Sequence, residues 1–289
     1  MIKKIFKLLL CVTVYTIVFS LTNAVLPFSQ RFKELRPPEN QAALLFLLIN
    51  AAWVCFTAYY IIRHSYLSRK KLFLNTVFVV FFVQSFMMQI ETALFGYAFS
   101  VLTRLDYILI TLAGLPPVLA AVLLLVIFFQ NKNIEDEKTD VNVKSILKKL
   151  GIIGIIYVCV YMLFGYFVAW QFEELRLFYS GSPEKLSFWR QLANNFKTNP
   201  LIYPFQILRG ILFGVFVLPL KFMIKGKNAF RISVCLVYLC TAMLLVIPNP
   251  LFPDMVRIAH LLEMTSSMLL FGIIAGSILQ DRTSKRGKK

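Results

Sequence analysis

Residues 253–279 read PDMVRIAHLLEMTSSMLLFGIIAGSIL, an apolar run that nonetheless contains Arg257, His260 and Glu263. About 20 apolar residues, rising 1.5 Å each in a helix, cross roughly 30 Å of hydrocarbon, so this run is long enough to span a bilayer. Arg257, His260 and Glu263 recur at intervals of three and Ser267 follows four after Glu263, which puts all four on one helical stripe. A charge in hydrocarbon costs several kcal/mol, from about 2.5 upward, so such residues usually face one another or a wet cavity.

Working outward, seven more windows of this kind precede it, near 5–26, 42–62, 72–99, 105–130, 150–170, 201–223 and 231–248. The expected fold is all-α: a polytopic transmembrane bundle of about eight helices forming one transmembrane domain over 1–289. Composition agrees, because 58% hydrophobic residues, 14 acidic residues and a mean hydropathy of +0.72 lie far from a soluble domain. The net charge of +17 does not point to nucleic acid. Its basic residues sit in short loops between apolar spans, where topology and anionic lipid headgroups account for them. The first segment opens Met-Ile-Lys-Lys like a signal peptide, but its apolar run is longer than a typical signal core and is read as a helix.

Lysine and arginine set the expected orientation. With the N-terminus inside, twenty-one of them fall in the N-terminal segment, alternate loops and the C-terminal tail on the cytoplasmic side; eight fall in outer loops, and Arg209 and Arg257 remain within spans. Both termini are therefore expected in the cytoplasm. The inner stretch 131–149, with Glu135, Asp136, Glu137 and Asp140, reads as a solvated linker. In the outer loop 171–200, Trp189, Leu192, Ala193 and Phe196 recur at helical spacing, with Arg190, Gln191, Asn194 and Asn195 opposite. That pattern predicts a short interfacial helix, either lidding the bundle or anchoring it at the headgroups.

Charge enters two other spans at a similar depth. Glu91 lies about 10 Å inside the outer end of the third span near Phe99, with Gln84 seven residues earlier on the same face. Gln206 and Arg209 occupy adjacent turns in the outer half of the sixth. Glu91 and Glu263 can balance Arg209 and Arg257, with His260 neutral or charged. The charge cluster or ligand site is thus Glu91, Arg209, Arg257, His260 and Glu263, supported by Gln84, Gln206 and Ser267. Paired charges can also simply lock helices together.

Other features are softer. Gly210 and Gly214 form a small-xxx-small pattern for close helix packing. Gly114-Leu-Pro-Pro117 frees the carbonyls of Leu112 and Ala113 and predicts a kink or a broken helix. Glu173, Glu174 and Arg176 read as an exposed headgroup face. Cys11, Cys55, Cys159, Cys235 and Cys240 fall in apolar spans without C-x-x-C pairing and read as small core residues. His64 and His260 lie on different segments, so neither a metal site nor a cofactor motif is expected.

Gln89-Ile-Glu91-Thr92, Phe164-Gly-Tyr-Phe-Val-Ala-Trp-Gln171, Phe205-Gln-Ile-Leu-Arg-Gly210, Pro248-Asn-Pro250 and Arg257-Ile-Ala-His260-Leu-Leu-Glu263 together resemble a group of uncharacterised bacterial multi-pass membrane proteins. The resemblance implies a bacterial inner-membrane location and no particular activity. The Glu173-Glu174 pair departs from the Glu-Glu-x-x-x-Arg pattern of intramembrane CAAX-type proteases, because Arg176 comes too early.

Three functions are open to this sequence. One is binding or transport of a small anionic or amphiphilic solute, with the arginines attracting the anion. Another is an enzyme acting on a lipid-linked substrate, with His260 or Glu263 as base. The third is a structural subunit whose charges only join helices. The expected partners are membrane lipids and the solute.

Overall fold

The computed structural model describes residues 2–35, 42–130 and 142–280. The acidic linker 135–140 and the basic C-terminal tail from 281 onward lie outside them. Helices α1 (Ile2–Val25), α2 (Gln30–Glu34), α3 (Ala43–His64), α4 (Arg69–Phe81), α5 (Met87–Leu94), α6 (Arg104–Ala113), α7 (Leu115–Phe129) and α8 (Val143–Phe167) are followed by α9 (Glu173–Ser180), α10 (Phe188–Thr198), α11 (Ile202–Lys221), α12 (Lys227–Leu244) and α13 (Asp254–Leu279). Grouped across their short interruptions, they supply eight stretches long and apolar enough to cross a bilayer. The chain is an all-α bundle, and all eight expected spans are present.

Within it, α12 packs along α13, α11 along α8, and α1 along α7 and α3. The bundle has two distinct ends. At one, the start of α1 meets the ends of α3 and α7 around Lys3, Lys7, Arg63 and Phe129. There the α3–α4 and α11–α12 links are tied by Tyr66 N–H to the Met223 carbonyl and Lys225 N–H to the His64 carbonyl, at 3.2 Å each. The other end carries α2, α9 and α10. Asp106 is fully buried there, accepting from the Ser29 amide (2.8 Å) and hydroxyl (2.6 Å) and from the Thr103 amide (2.8 Å) and hydroxyl (2.7 Å). One carboxylate thus closes the capping box of α6 and holds the chain that leaves α1.

Two interruptions shape the middle of the bundle. The third span is not one α-helix: Phe82–Phe86 form a π turn between α4 and α5, with Met87 N–H bonded to the Phe82 carbonyl. Such a turn adds about one residue, rotating the helix beyond it by roughly 100° relative to an unbroken one. The fourth span breaks only at Gly114, in helical conformation, with Pro116 and Pro117 in the first turn of α7. The kink serves packing, because the Ser85 hydroxyl of the π turn occupies the place of a Gly114 side chain; a Cβ there would lie 2.0 Å from its Oγ.

Glycines set the closest helix crossings. A Cβ on Gly210 of α11 would meet Gly154 Cα of α8 at 2.8 Å and Tyr157 Cβ at 2.5 Å, and one on Gly214 would meet Leu150 at 2.6 Å. The small-xxx-small pattern therefore works, and its partner is α8. Gly272 of α13 makes a similar approach to Cys235 Cα of α12, 2.9 Å from an added Cβ. Cys11, Cys55 and Cys240 are buried as expected, whereas Cys159 is exposed on the outer face of α8 and Cys235 is half-buried; all five are free.

Gly210→Ala is expected to push α8 and α11 apart and lower stability by about 1–3 kcal/mol, the usual cost of overpacking. Gly151→Ala, on the same helix pair's α8 with nothing within 4 Å of its added Cβ, is the control expected to be neutral or stabilising. Thermal unfolding of both variants in detergent checks the contrast.

Candidate functional site

Arg209, 1% exposed, projects from α11 towards α5. Its Nη2 lies 2.8 Å from Glu91 Oε2 and donates to the Met87 carbonyl at 3.2 Å, while Nη1 donates to Gln206 Oε1 at 3.0 Å. The guanidinium sits over the rings of Tyr157 (5.6 Å) and Phe213 (5.8 Å), a cation–π arrangement made possible by the glycine crossing that brings α8 close. Two buried donors, Arg209 Nε and Gln206 Nε2, have no hydrogen-bond partner among the described residues. Sequence reasoning brought Glu91, Gln206 and Arg209 together, and the structure does so too. Glu91 is nearer its helix end than expected, because α5 stops at Leu94 and Gly96–Phe99 form a 3-10 turn.

Beside this pair, at the end of the bundle carrying α9 and α10, lies a cavity of about 1100 Å³. Glu91, His260 and Glu263 line it; Arg209 does not, being shielded behind Glu91 and Tyr157. Glu263 is 8% exposed and, among the described residues, forms no ion pair. Ser267, one turn on, lies beside its carboxyl without meeting hydrogen-bond geometry. By helical rise Glu263 is about 14 Å along α13 from its first residue. His260 pairs its Nε2 with the Tyr179 hydroxyl at 3.0 Å and rests against Phe252. Burial holds the Tyr179 phenol well above its usual range, so the partner of His260 is a neutral one.

Two expected members are elsewhere. Arg257 is a correction to the cluster: its Nη1 donates to the carbonyls of Leu245 (2.9 Å) and Val246 (3.1 Å), and its Nη2 bonds Asp254 Oδ1 at 2.8 Å. It satisfies the carbonyls just past α12 and ties that end to the start of α13, a familiar role for a cation at a helix C-terminus. Gln84 also leaves the site. The π turn breaks its shared face with Glu91, and it donates instead to Asn50 Oδ1 (3.1 Å), whose own amide reaches the Tyr15 hydroxyl at 3.5 Å.

The helix expected in the 171–200 loop is present as α10 and lids the cavity. On α10, Trp189 and Phe196 are 76% and 65% exposed and point away, while Gln191, Asn194, Asn195 and Thr198 line the cavity mouth. Amides thus share this part of the cavity wall with Phe188 and Leu192, while Trp189 and Phe196 face away from it. Tyr203 holds the lid by donating to the Leu192 carbonyl at 2.9 Å. Arg176 is buried rather than exposed, donating to the carbonyls of Trp170 and Pro183 at 2.7 Å each and folding the chain between α9 and α10 back over the bundle. Glu173 and Glu174 do remain exposed.

Sequence reasoning missed the aromatic walls, Tyr157, Tyr161, Trp170 and Tyr179. A signal existed for two of them: Gly154, Tyr157 and Tyr161 come at intervals of three and four on one face of α8. Among the described residues no group of three or more His, Cys, Asp or Glu could hold a metal ion.

The ion pair should be asymmetric. Arg209 cannot lose its charge and is wholly buried, whereas the Glu91 side chain is 23% exposed to the cavity. Glu91→Gln is therefore expected to cost about 3–5 kcal/mol, more than Arg209→Met, with the double variant recovering much of the loss. Thermal unfolding of the three variants measures the cycle. Compared with family models, with curated proteins and with solved structures, the chain matches none, so the reading of the site rests on its geometry.

Proposed function

We propose that this membrane protein binds, and hands across or along the bilayer, a small amphiphile that enters the cavity beneath α10. The cavity carries the proposal. Its volume of about 1100 Å³ exceeds the roughly 300–1,000 Å³ of ordinary small-molecule pockets. Its wall at α10 carries amides, its other walls are tyrosine, tryptophan and phenylalanine, and Met88, Met162, Met264 and Met268 add an adaptable apolar lining. An amphiphile has the matching division into polar and apolar parts.

The charges bear on the competing readings. Recruiting an anion, or a phosphate in a catalytic step, calls for a free arginine facing the cavity, and both arginines are already engaged. A purely structural role accounts for Arg209, Glu91, Arg257 and Asp254 as helix ties. It leaves Glu263 unexplained, since a buried carboxylate with no partner stabilises nothing by itself. The lysine and arginine distribution supports both termini being cytoplasmic, which puts the mouth under α10 on the outer side; a bacterial inner-membrane location is what the resemblance of the quoted stretches implies.

Gly165 gives a clean way to block the cavity, because it lines the space and a Cβ there meets nothing within 4 Å. Purified with native lipid, the wild type is expected to carry an amphiphile detectable by mass spectrometry, reduced at least about fivefold in Gly165→Phe, where a large ring fills the site. Equal occupancy in the two samples would count against the proposal.

A further inference from the structure

Resting on that reading of the cavity, we infer that its ligand carries a positively charged head, a primary or quaternary ammonium, seated against Glu263. The inference starts from charge. Among the described residues lining the cavity there is no lysine or arginine, and the carboxylic acids and histidines are Glu91, Glu263 and His260. Glu91 is answered by Arg209 at 2.8 Å. His260 is held by the neutral Tyr179. Arg257 commits its charge to Asp254 and to carbonyls beyond α12. Glu263 is left facing the space with more than nine-tenths of its surface covered and no cation in contact.

A carboxylate in that position costs free energy that a ligand cation can offset. An anionic head would gain nothing comparable, since no lysine or arginine among the described residues lines the cavity to grip it. The surroundings select further among cations. Tyr157, Tyr161, Trp170, Tyr179 and Phe252 line the same cavity as Glu263, and the electron-rich faces of such rings attract organic ammonium groups. A small metal ion is a poor fit, because hard cations need several oxygen ligands and the described residues gather no such cluster of carboxylates and histidines. The apolar tail of an amphiphile would then run along the methionine and aromatic lining. The Ser267 hydroxyl, unbonded beside the Glu263 carboxyl, is placed to adjust to the seated head.

Three probes that share a decyl chain separate head charge from tail: decyltrimethylammonium, decyl sulfate and 1-decanol. Each is titrated into the full chain in neutral glycoside micelles, with binding read from tryptophan fluorescence, since Trp170 lines the cavity. The ammonium is expected to bind about tenfold more tightly than decanol, and the sulfate more weakly than both. In Glu263→Gln that advantage disappears while decanol affinity stays within about twofold, which also shows that the variant's cavity is folded. Decanol or sulfate binding as tightly as the ammonium, or an unchanged ammonium affinity in Glu263→Gln, overturns the cationic head and leaves the amphiphile site standing. Binding by none of the three overturns the amphiphile reading and this inference with it.

Discussion

The contact between Arg209 and Glu91 is the constraint around which the rest of the bundle is arranged. A guanidinium that is 1% exposed in a membrane protein requires an opposite charge and further acceptors. Supplying them fixes three elements at once. The α5 helix must present Glu91 and the Met87 carbonyl, α11 must bring Gln206 one turn before Arg209, and α8 must come close enough to lay Tyr157 under the charge. The last demand explains Gly154 and Gly210, whose bare backbones permit the crossing. The first explains the π turn, which sets the rotation of α5 independently of α4.

Once Arg209 is committed to Glu91, the electrostatics of the cavity are set. The positive charge is withdrawn behind the wall and the cavity keeps one carboxylate, Glu263, without an answer. Arg257 does not change this, because it is used twelve residues back along the chain, on the carbonyl of Leu245. The polarity of the lid is in keeping with a mouth that passes a polar head, since its amides face the cavity and Trp189 and Phe196 face away from it. Four separate side-chain anchors hold that end together: Asp106 below α2, Arg176 around α9, and Tyr166 and Tyr203 on the chain flanking and forming the lid.

Much of the architecture was legible in the sequence because it depends on period and length. Apolar runs of bilayer length located the eight spans, the Gly210–Gly214 spacing located a close crossing, and the periodicity of Trp189, Leu192, Ala193 and Phe196 located the lid helix. The sequence also brought Glu91, Gln206 and Arg209 together, since their depths depend on helical rise. What it could not convey were departures from an ideal helix and choices between local and distant partners. A π turn carries no compositional mark, so Gln84 was assigned the face of Glu91 and in fact points to Asn50. Arg257 had an acid three residues before it and free carbonyls close by, and these local partners won over the distant carboxylates. The lid's amphipathicity was readable, but not which face met the cavity. Arg176 looked exposed because its anchoring partners are backbone carbonyls, which have no side-chain signature.

The most direct measurement is thiol accessibility from each side of the membrane, using a charged, membrane-impermeant reagent on single cysteines placed in a background without the native five. Glu263→Cys and Thr92→Cys both line the cavity and should react from the face carrying α10, and from that face only. Ser233→Cys, buried in α12 away from the cavity, should stay unreactive. Labelling at 263 and 92 from the opposite face, or none at either position in folded protein, would contradict a wet cavity that reaches Glu263 from beneath the lid.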